Sequence, residues 1–437
     1  MIQHAKRTFL FLQGPQSPFF RRLGRALRHH GADVIKVNFC GGDVVHWAGR
    51  DARLFLGGGE EWSSWIARLM REAQVTDMLL YGDWRPLHWE AVLLARQFDI
   101  RVHVFEEGYL RPDYITMEEG GVNGNSTMPT TAQTVLETAA LYPDPLPPTP
   151  APNPVRYRVY DAILHHAGNT VMLPLFFRYR THRPHNIARE LLGWIPRWLG
   201  RKRRGRASAA QLAHFSTLRR PYFVFPLQLD ADAQVRRYSP FSGMREGIGH
   251  VIASFAAHAP ANTHLLIKNH PLDNGLIDYA RFIADFSLAC GVRERVHFVE
   301  EGDSMAMMKE SKGVVLLNST IGLSALRAGK PVYCIGKAIY AMPGLAVNEP
   351  HQSLHSFWSM PTGPDPAILR AFLKVLKVRT LVNGNFYTPQ GIRVAISHCL
   401  VRLGLVQPAC MRHQCPDDTD PTPFRPKTPL AESEMRA

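Results

Sequence analysis

The sequence has no uninterrupted apolar run of membrane-spanning length. Residues 171–177 come closest, but a proline interrupts them, and a spanning helix needs roughly 18 apolar residues. The apolar run at residues 9–12 is also shorter than the core of a secretory signal, which has about 7–15 residues. We therefore expect neither a membrane span nor a signal peptide.

Paired cysteines are also missing. Six cysteines are present, and none forms a Cys-x-x-Cys motif. Cys40, Cys290 and Cys334 lie in or beside apolar segments, which is typical of reduced thiols in a protein core. This pattern favours a reducing compartment and predicts a cytoplasmic protein.

Signature motifs of several enzyme classes do not occur. There is no Walker loop, G-x-G-x-x-G, H-E-x-x-H or G-x-S-x-G, which argues against an NTPase, a dehydrogenase, a zinc protease and an α/β-hydrolase. Asp230 and Asp232 match an Asp-x-Asp metal pattern, but a match of three residues is very weak evidence. We predict no metal and no cofactor.

Acidic residues are too few to balance the basic ones. The 437 residues include 51 Lys and Arg against 37 Asp and Glu, which gives a net charge of +14. Such a charge implies an anionic partner, which could be a nucleic acid, a nucleotide-bearing substrate or a lipid headgroup. The apolar share of 45% indicates a folded protein, and the length suits two domains with additions.

Apolar β-branched runs alternate with helical patterns and predict an α/β fold with two Rossmann-like domains facing each other across a cleft. The first domain should span residues 1–142, and the second residues 216–345. The Pro-rich stretch at 143–154 predicts an extended linker. Residues 346–407 should form helices that pack back across both domains, and 408–437 a disordered tail.

Residues 155–215 form a basic helical insert of different composition. Between positions 178 and 206, ten Lys and Arg occur with a single acid, Glu190. A basic helix with tryptophans on its apolar face is typical of a membrane-surface element. The alternative is a solvated charged face on a buried interdomain helix. The residues assigned to the membrane surface are Trp194, Trp198, Arg201, Lys202, Arg203 and Arg204.

Two strand ends of the second domain carry polar motifs. Lys-Asn-His-Pro at 268–271 and Asn-Ser-Thr at 318–320 each follow an apolar run. Ligands of open α/β sheets bind at the carboxyl ends of strands, and a helix start favours a phosphate. The alternatives are a structural turn for His-Pro and a plain N-cap for Asn-Ser-Thr. The predicted nucleotide-sugar site comprises Gln228, Lys268, His270, Asn318, Ser319 and Thr320.

Adjacent carboxylates end a strand of the first domain. Glu106 and Glu107 should point to opposite faces of that strand, so that only one of them enters the cleft. A carboxylate there could act as a general base or as a nucleophile at an anomeric carbon. The alternative is a structural ion pair with Arg111. A weaker acceptor-side cluster consists of Asp83, Arg85 and His88, and Gly14 is assigned to the same side.

Together these motifs resemble those of the capsule polysaccharide biosynthesis proteins of the KpsS/LipB type. The segments that carry the resemblance lie at residues 11–15, 81–83, 105–116, 226–228, 268–271 and 318–331. The resemblance implies a GT-B fold and retaining β-Kdo transfer from CMP-Kdo. It also implies a phosphatidylglycerol-type lipid acceptor, on which the product starts the poly-Kdo linker of a Gram-negative capsule.

The resemblance extends to individual residues and to cellular context. It implies that His270-Pro271 and residues 318–320 hold the CMP moiety. Related Kdo transferases carry Glu-Asp-Gly where this chain has Glu106, Glu107 and Gly108, so Glu107 would be the counterpart of the catalytic Asp, with a side chain one methylene longer. The implied location is the inner face of the inner membrane, as a peripheral protein beside other capsule biosynthesis and export proteins.

Two competing hypotheses follow from the same sequence. One is a GT-B transferase that uses another nucleotide sugar. The other is a non-catalytic capsule assembly or export component that binds an anionic polymer through its basic face. Nucleic-acid binding is disfavoured because the basic cluster is confined to one insert and no recognised module accompanies it.

Overall fold

Two β-sheets organise the chain in a computed structural model that describes residues 6–181, 193–194, 196–217, 219–349 and 351–407. The strands of the first sheet are β1 (Thr8–Phe11), β2 (Asp33–Asn38), β3 (Ala52–Leu54), β4 (Asp77–Tyr81), β5 (Arg101–Glu107), β6 (Tyr114–Glu119) and β12 (Leu381–Asn383). Their order across the sheet is β12-β6-β5-β4-β1-β2-β3. β1 to β5 run parallel, while β6 is antiparallel to β5 and β12 is antiparallel to β6.

The second sheet is parallel throughout. Its strands are β7 (Tyr222–Pro226), β8 (His264–Lys268), β9 (Val296–Val299), β10 (Gly313–Leu316) and β11 (Val332–Cys334). Their order is β11-β10-β7-β8-β9. Central strands such as β10 are buried along their whole length, as expected for parallel strands that helices cover on both faces. The predicted α/β fold with two Rossmann-like domains is confirmed.

Helices surround both sheets. Those that precede the second sheet in the chain are α1 (Phe19–His29), α2 (Gly41–His46), α3 (Gly59–Glu72), α4 (Pro86–Gln97), α5 (Ala132–Ala140), α6 (Val155–Val171) and α7 (Arg201–Thr217). Those that follow are α8 (Ala233–Tyr238), α9 (Met244–His258), α10 (Tyr279–Ala289), α11 (Ser304–Glu310), α12 (Ile321–Arg327), α13 (Leu354–Phe357), α14 (Pro366–Thr380) and α15 (Pro389–Arg402).

The first domain is built from two separate parts of the chain. β12 adds an edge strand to the first sheet, α14 packs against α5, and α15 packs against α1. The side chain of Asn383 secures this junction, because its Nδ2 donates to the carbonyl oxygens of Asp113 (2.7 Å) and Thr149 (2.9 Å). The sequence predicts only helices over 346–407. The sequence does not predict β12, because this strand has only three residues and follows α14 directly, with no turn signal between them.

α6 also packs on the first domain rather than standing apart as an insert. It crosses α2 closely enough that a Cβ added to Gly41 would lie 2.1 Å from the carbonyl oxygen of Gly168. Upstream of α6, the backbone N–H of Ala151 donates to Asp113 Oδ1 at 2.8 Å. The Pro-rich stretch therefore runs along the first domain, and the boundary predicted at residue 142 divides elements that the structure keeps together. Residues 408–437, predicted to be disordered, lie outside the described residues.

A buried carboxylate anchors the amino end of β4. Asp77 accepts hydrogen bonds from Arg7 Nε (2.9 Å), His103 Nε2 (2.9 Å) and the Thr76 hydroxyl (2.7 Å). Burial opposes ionisation of Asp77, but the donors from His103, Arg7 and Thr76 outweigh it and hold the pKa of this carboxyl well below its usual range. Because the pKa of Asp77 is lower in the folded protein than in the unfolded chain, where it is about 3.9, the ionised carboxyl stabilises the fold at pH values above about 3.9. This stability is lost as the pH falls toward the lower folded-state pKa.

We therefore expect Asp77→Asn to lower the free energy of unfolding by about 2 kcal/mol at pH 7. The difference in the free energy of unfolding between this variant and the unsubstituted protein should be smaller at pH 3.5. The Asp77 charge, which the variant lacks, then contributes less to stability. Urea denaturation at the two pH values measures both. The control is Asp33→Asn, at an exposed ion pair with Lys6, with an expected change within about 0.5 kcal/mol. A difference at Asp77 that does not depend on pH would contradict this account.

Candidate functional site

Each sheet reverses its strand order once, and the two reversals define a crevice in each domain. In the first sheet β2 and β4 lie on opposite sides of β1, and in the second β8 and β10 lie on opposite sides of β7. Open α/β sheets bind ligands in such crevices, at the carboxyl ends of the strands. The loops there are 12–14 and 82–85 in the first domain, and 227–228 and 317–320 in the second. The predicted Gly14, Asp83, Arg85, Gln228 and the 318–320 motif fall in these loops, whereas Lys268 and His270 lie at the end of β8, and Glu106 and Glu107 at the end of β5.

Two side-chain amides close the crevice of the second domain. Gln228 Nε2 donates to Asn318 Oδ1 at 3.0 Å, and the backbone N–H of Asn318 donates to Gln228 Oε1 at 3.1 Å. Asn318 Nδ2 also donates to the carbonyl oxygen of Gln234 at 2.7 Å. Gln228 and Asn318 therefore satisfy each other and fix the shape of the crevice. This arrangement leaves Ser319 and Thr320, both half-buried, at the start of α12.

Thr320 occupies the N-cap position of α12, but its side chain makes no capping hydrogen bond. Ser319 Oγ accepts only a long bond, 3.4 Å, from the backbone N–H of Ile321. The plain N-cap alternative is therefore weak for Thr320. The backbone N–H groups of Gly322 and Leu323 donate to the carbonyl oxygens of Ser319 and Thr320. An anion at this helix start would therefore be bound through the two hydroxyls and favoured by the helix dipole.

His270 is held as a neutral hydrogen-bond donor. Its Nδ1 accepts from the backbone N–H of Leu272 at 3.1 Å, so the ring proton of the neutral form resides on Nε2. Burial, assisted by the charges of Lys268 and Arg111, lowers the pKa of His270 to about 4. At neutral pH the ring therefore presents an uncharged Nε2–H, for which the described residues provide no acceptor.

Lys268 is engaged with the protein backbone. Its Nζ donates to the carbonyl oxygens of Asn269 (2.8 Å) and Glu300 (3.1 Å), and burial lowers its pKa. Two of its three N–H groups thus stabilise the loop that carries His270. Only the third remains for the phosphate contact that the sequence predicts.

The adjacent carboxyls at the end of β5 have different partners. Glu107 Oε1 accepts from the Tyr387 hydroxyl at 2.9 Å and forms an ion pair with Arg158 of α6. The alternative prediction of an ion pair with Arg111 is therefore replaced by one with Arg158. Arg158 and Tyr387 come from distant parts of the chain, so sequence reasoning does not find them.

Glu106 is close enough to the second domain for the charge of Asp232 to act on it. Its Oε2 lies against Gly82, 3.4 Å from the position of an added Cβ. Burial raises the pKa of Glu106 to about 7, Arg85 opposes that rise, and Glu107 and Asp232 of the second domain add to it. A pKa near 7 suits a general acid or base at neutral pH. Glu107, by contrast, is held in an ion pair, so two neighbouring carboxyls have different environments.

Arg111 is a cleft residue that the sequence prediction considers only as an ion-pair partner. Its Nε donates to the carbonyl oxygen of Gly108 at 3.2 Å, and its charge acts on both Asp232 and His270. The guanidinium therefore reaches from the first domain toward the donor loops of the second. Its position three residues after Gly108, in the same strand-end segment as the carboxylates, is the signal that could have found it.

The remaining acceptor-side predictions have structural partners. Asp83 Oδ2 accepts from Asn125 Nδ2 (2.9 Å), which also donates to the Tyr238 hydroxyl (2.8 Å) and so ties the two domains together. Gly14 leaves room for Phe20, since an added Cβ would lie 2.6 Å from that ring. Arg85 donates to Gln13 Oε1 and remains beside Glu106.

The Asp-x-Asp pair serves helix starts. Asp232 caps α8 by accepting from the backbone N–H of Gln234, and Asp230 Oδ1 accepts from the backbone N–H of Met244, the first residue of α9. Within the described ranges, no group of three or more His, Cys, Asp or Glu side chains is arranged to hold a metal ion. Both aspartates are therefore explained by helix capping.

The basic segment is only partly described. Residues 182–192 and 195, in which the predicted membrane-surface helix begins, lie outside the described residues. Trp198 is 74% exposed and Trp194 is 37% exposed. Arg201, Lys202 and Arg203 are exposed, whereas Arg204 pairs with Glu300 at 3.1 Å. In the part of the chain that the structure describes, no helix is both long and apolar enough to cross a membrane.

Comparisons with known proteins place the chain among capsule proteins. Residues 76–387 match the family described as capsule polysaccharide biosynthesis protein. The chain is 33% identical over 383 residues to the capsule polysaccharide export protein KpsS of Escherichia coli. The match covers 87% of this chain and 97% of KpsS. It is 33% identical over 408 residues to the capsule polysaccharide modification protein LipB of Neisseria meningitidis serogroup B, with coverage of 89% and 93%.

Among solved structures, the KpsC beta Kdo 2,7 transferase of Thermosulfurimonas dismutans has a TM-score of 0.43 at 15% identity, covering 86% of this chain and 92% of that one. Two Rossmann-like domains with facing crevices define the present chain as a GT-B-type α/β protein. It belongs to the capsule polysaccharide biosynthesis protein family. The predicted KpsS/LipB-type resemblance is thereby confirmed.

Proposed function

We propose that the protein is a glycosyltransferase of capsule biosynthesis that transfers Kdo with retention from CMP-Kdo to a phosphatidylglycerol-type lipid. The product would start the poly-Kdo linker. Family membership supports the capsule role. The observation that carries the catalytic role is a pair of adjacent carboxyls of different environment at the end of β5, Glu106 and Glu107, in a protein whose second domain presents the neutral donor His270.

The second domain supplies the donor site in this proposal. The Nε2–H of His270 donates to a phosphate oxygen of CMP-Kdo, and Ser319 and Thr320 contact the same phosphate at the start of α12. A hydrogen bond to a charged group contributes about 1.5–3 kcal/mol. Arg111, near His270, adds positive charge where the departing CMP becomes more negative.

Retention follows from two displacements at the anomeric carbon. The Glu107 carboxylate attacks this carbon, the bond to the phosphate oxygen breaks, and CMP leaves with the bonding electron pair. The acceptor hydroxyl then attacks the same carbon, the bond to Glu107 breaks, and the hydroxyl proton passes to Glu106. The ion pair with Arg158 and the hydrogen bond from the Tyr387 hydroxyl hold the Glu107 carboxylate in place for the first step.

The proposed location is the inner face of the inner membrane, beside other capsule biosynthesis and export proteins. The exposed basic residues Arg201, Lys202 and Arg203, together with Trp198, support contact with an anionic bilayer. The acceptor would then be a lipid of the same leaflet.

Incubation of the purified protein with CMP-Kdo and phosphatidylglycerol vesicles tests the proposal. We expect a lipid whose mass has increased by Kdo, together with released CMP. The measurements are mass spectrometry of the extracted lipid and chromatography of the nucleotide. Transfer from a UDP-sugar, with release of UDP instead, would support the alternative donor, and no mass increase on any lipid would refute the proposal.

A non-catalytic role in capsule assembly or export is the second candidate, because a relative that is 33% identical is named an export protein. Complementation of a capsule-deficient strain separates the two. An export component should tolerate Glu107→Gln and His270→Ala, whereas an enzyme should lose capsule production with either change.

A further inference from the structure

A cavity of about 200 Å³ opens in the first domain, next to the proposed catalytic carboxylates. Gln13 and Arg85 border it at the crevice loops, and the rings of Phe39, Phe55 and Tyr179 form its walls. The Tyr179 side chain hydrogen-bonds to Gln13, which in turn accepts from Arg85. The lining is therefore a polar floor within aromatic walls, which is the usual composition of a small-ligand site.

The charged side chains that line this cavity are all arginines. Arg85, Arg178 and Arg180 line it, and no acidic side chain does. Arg178 is compensated from outside the lining by Glu61, at 2.7 Å. The Nε of Arg85, however, is buried and has no hydrogen-bond partner among the described residues. A buried guanidinium N–H without an acceptor is costly, and an anionic ligand would remove that cost.

Two chain segments that line the cavity also carry exposed apolar side chains. Phe55 lines the cavity, and its neighbours in the chain, Leu54 and Leu56, are 42% and 41% exposed. In the other segment, Arg178 lines the cavity and the preceding Phe177 is 65% exposed. Apolar side chains so exposed would otherwise stay in water, and they indicate contact with another apolar surface.

We propose that this cavity binds the phosphate-bearing headgroup of an anionic phospholipid, and that Leu54, Leu56 and Phe177 rest in the bilayer around it. The arginines then meet the phosphate, while the acyl chains remain in the membrane. This inference rests on the proposed function, in which that lipid is the sugar acceptor. It makes the first domain a membrane-contacting surface in addition to the basic segment.

Arg85 connects the cavity to the chemistry. It lines the cavity, and its charge also acts on the carboxyl of Glu106. A phosphate held at Arg85 therefore places the rest of the headgroup, with its hydroxyls, beside Glu106. That is the group to which the acceptor proton passes in the proposed mechanism.

Binding to vesicles tests the membrane-contacting surface without any need for catalysis. The variant combines Leu56→Ser with Phe177→Ser, and the probe is a vesicle of phosphatidylglycerol and phosphatidylcholine, with pure phosphatidylcholine as the neutral reference. Because two apolar side chains lose their insertion, we expect vesicle affinity in sedimentation to fall about tenfold or more. The matched control combines Leu141→Ser with Leu288→Ser, which are 79% and 69% exposed elsewhere, and it should bind as the unsubstituted protein does.

Thermal unfolding of each variant tests whether the fold is kept. Unchanged vesicle binding by the Leu56→Ser, Phe177→Ser protein, with binding lost instead on replacement of Arg201, Lys202 and Arg203 by Gln, would overturn the inference. Binding that depends on Leu56 and Phe177, without sugar transfer to any lipid, would refute the proposed function and still support the lipid site.

The headgroup contact has its own readout. Transfer to water-soluble glycerophosphoglycerol removes the membrane from the assay, and inorganic phosphate serves as a competitor. In Arg180→Gln we expect the KM for glycerophosphoglycerol to rise about tenfold, and more than the KM for CMP-Kdo does, because one charged hydrogen bond is lost. A rise confined to the KM for CMP-Kdo would assign the cavity to the donor and overturn the inference.

Discussion

Glu107→Gln is expected to lower the rate of sugar transfer by about 10⁴-fold, because an amide cannot form the glycosyl ester through which retention occurs. Glu106→Gln should lower it by about 10²–10⁴-fold, the usual range for a lost general base. The control is Glu119→Gln, an exposed carboxylate at the end of the neighbouring strand β6, which should retain its rate. Steady-state release of CMP in the presence of acceptor measures all three.

The two substitutions should also differ in what accumulates. In Glu106→Gln the first displacement can proceed while the second is slowed, so a covalent adduct of one Kdo should appear on the intact protein. The double variant with Glu107→Gln should show no adduct. Mass spectrometry of the protein after brief exposure to CMP-Kdo distinguishes them. An adduct that persists in the double variant would place the nucleophile elsewhere.

The pH profile gives a third test of the same pair. The pKa of Glu106 is raised to about 7, and a general base acts in its ionised form. Therefore kcat/KM for the acceptor should rise as the pH increases through about 7. In Glu106→Gln this rise should be lost, because the titrating group has been removed. A rise that survives the substitution would assign the limb to another group.

His270→Ala is expected to lower kcat/KM for CMP-Kdo by about 100-fold, since it removes a hydrogen bond to the phosphate that strengthens as CMP departs. The ring is neutral above a pKa of about 4, so the loss should be the same from pH 5.5 to pH 8. The control is His351→Ala, an exposed histidine of the second domain. Initial rates at varied CMP-Kdo measure the effect. A loss that disappears at high pH would indicate that the charged imidazole is the active form.

The sequence predicts the site best where its signals are local. Both crevices lie at strand ends that apolar runs mark, and so His270 and Glu106 fall where they are expected. The partners of Glu107 could not be predicted in this way, because Arg158 and Tyr387 are 51 and 280 positions away and only the tertiary fold brings them together. The same holds for the mutual amide pair of Gln228 and Asn318, 90 positions apart.

Membership of a domain is equally hard to predict from composition. The Pro-rich stretch before α6 has the composition of a linker, yet its backbone bonds to Asp113 and Asn383 hold it on the first domain. Likewise, the run of basic residues at 178–206 predicts a solvent-exposed segment. The sequence does not predict the aromatic cavity beside it, because the side chains that line the cavity come from separate parts of the chain.

The place of β12 and α15 has a consequence for synthesis of the chain. Domains generally fold during translation from the N-terminal end onward. Here the first sheet acquires its edge strand from residues 381–383 and a covering helix from residues 389–402, both made after the entire second sheet has emerged. The nascent second domain can therefore complete its sheet while the first still has an open edge at β6, and the order of maturation on the ribosome is the reverse of the order of the domains in the chain.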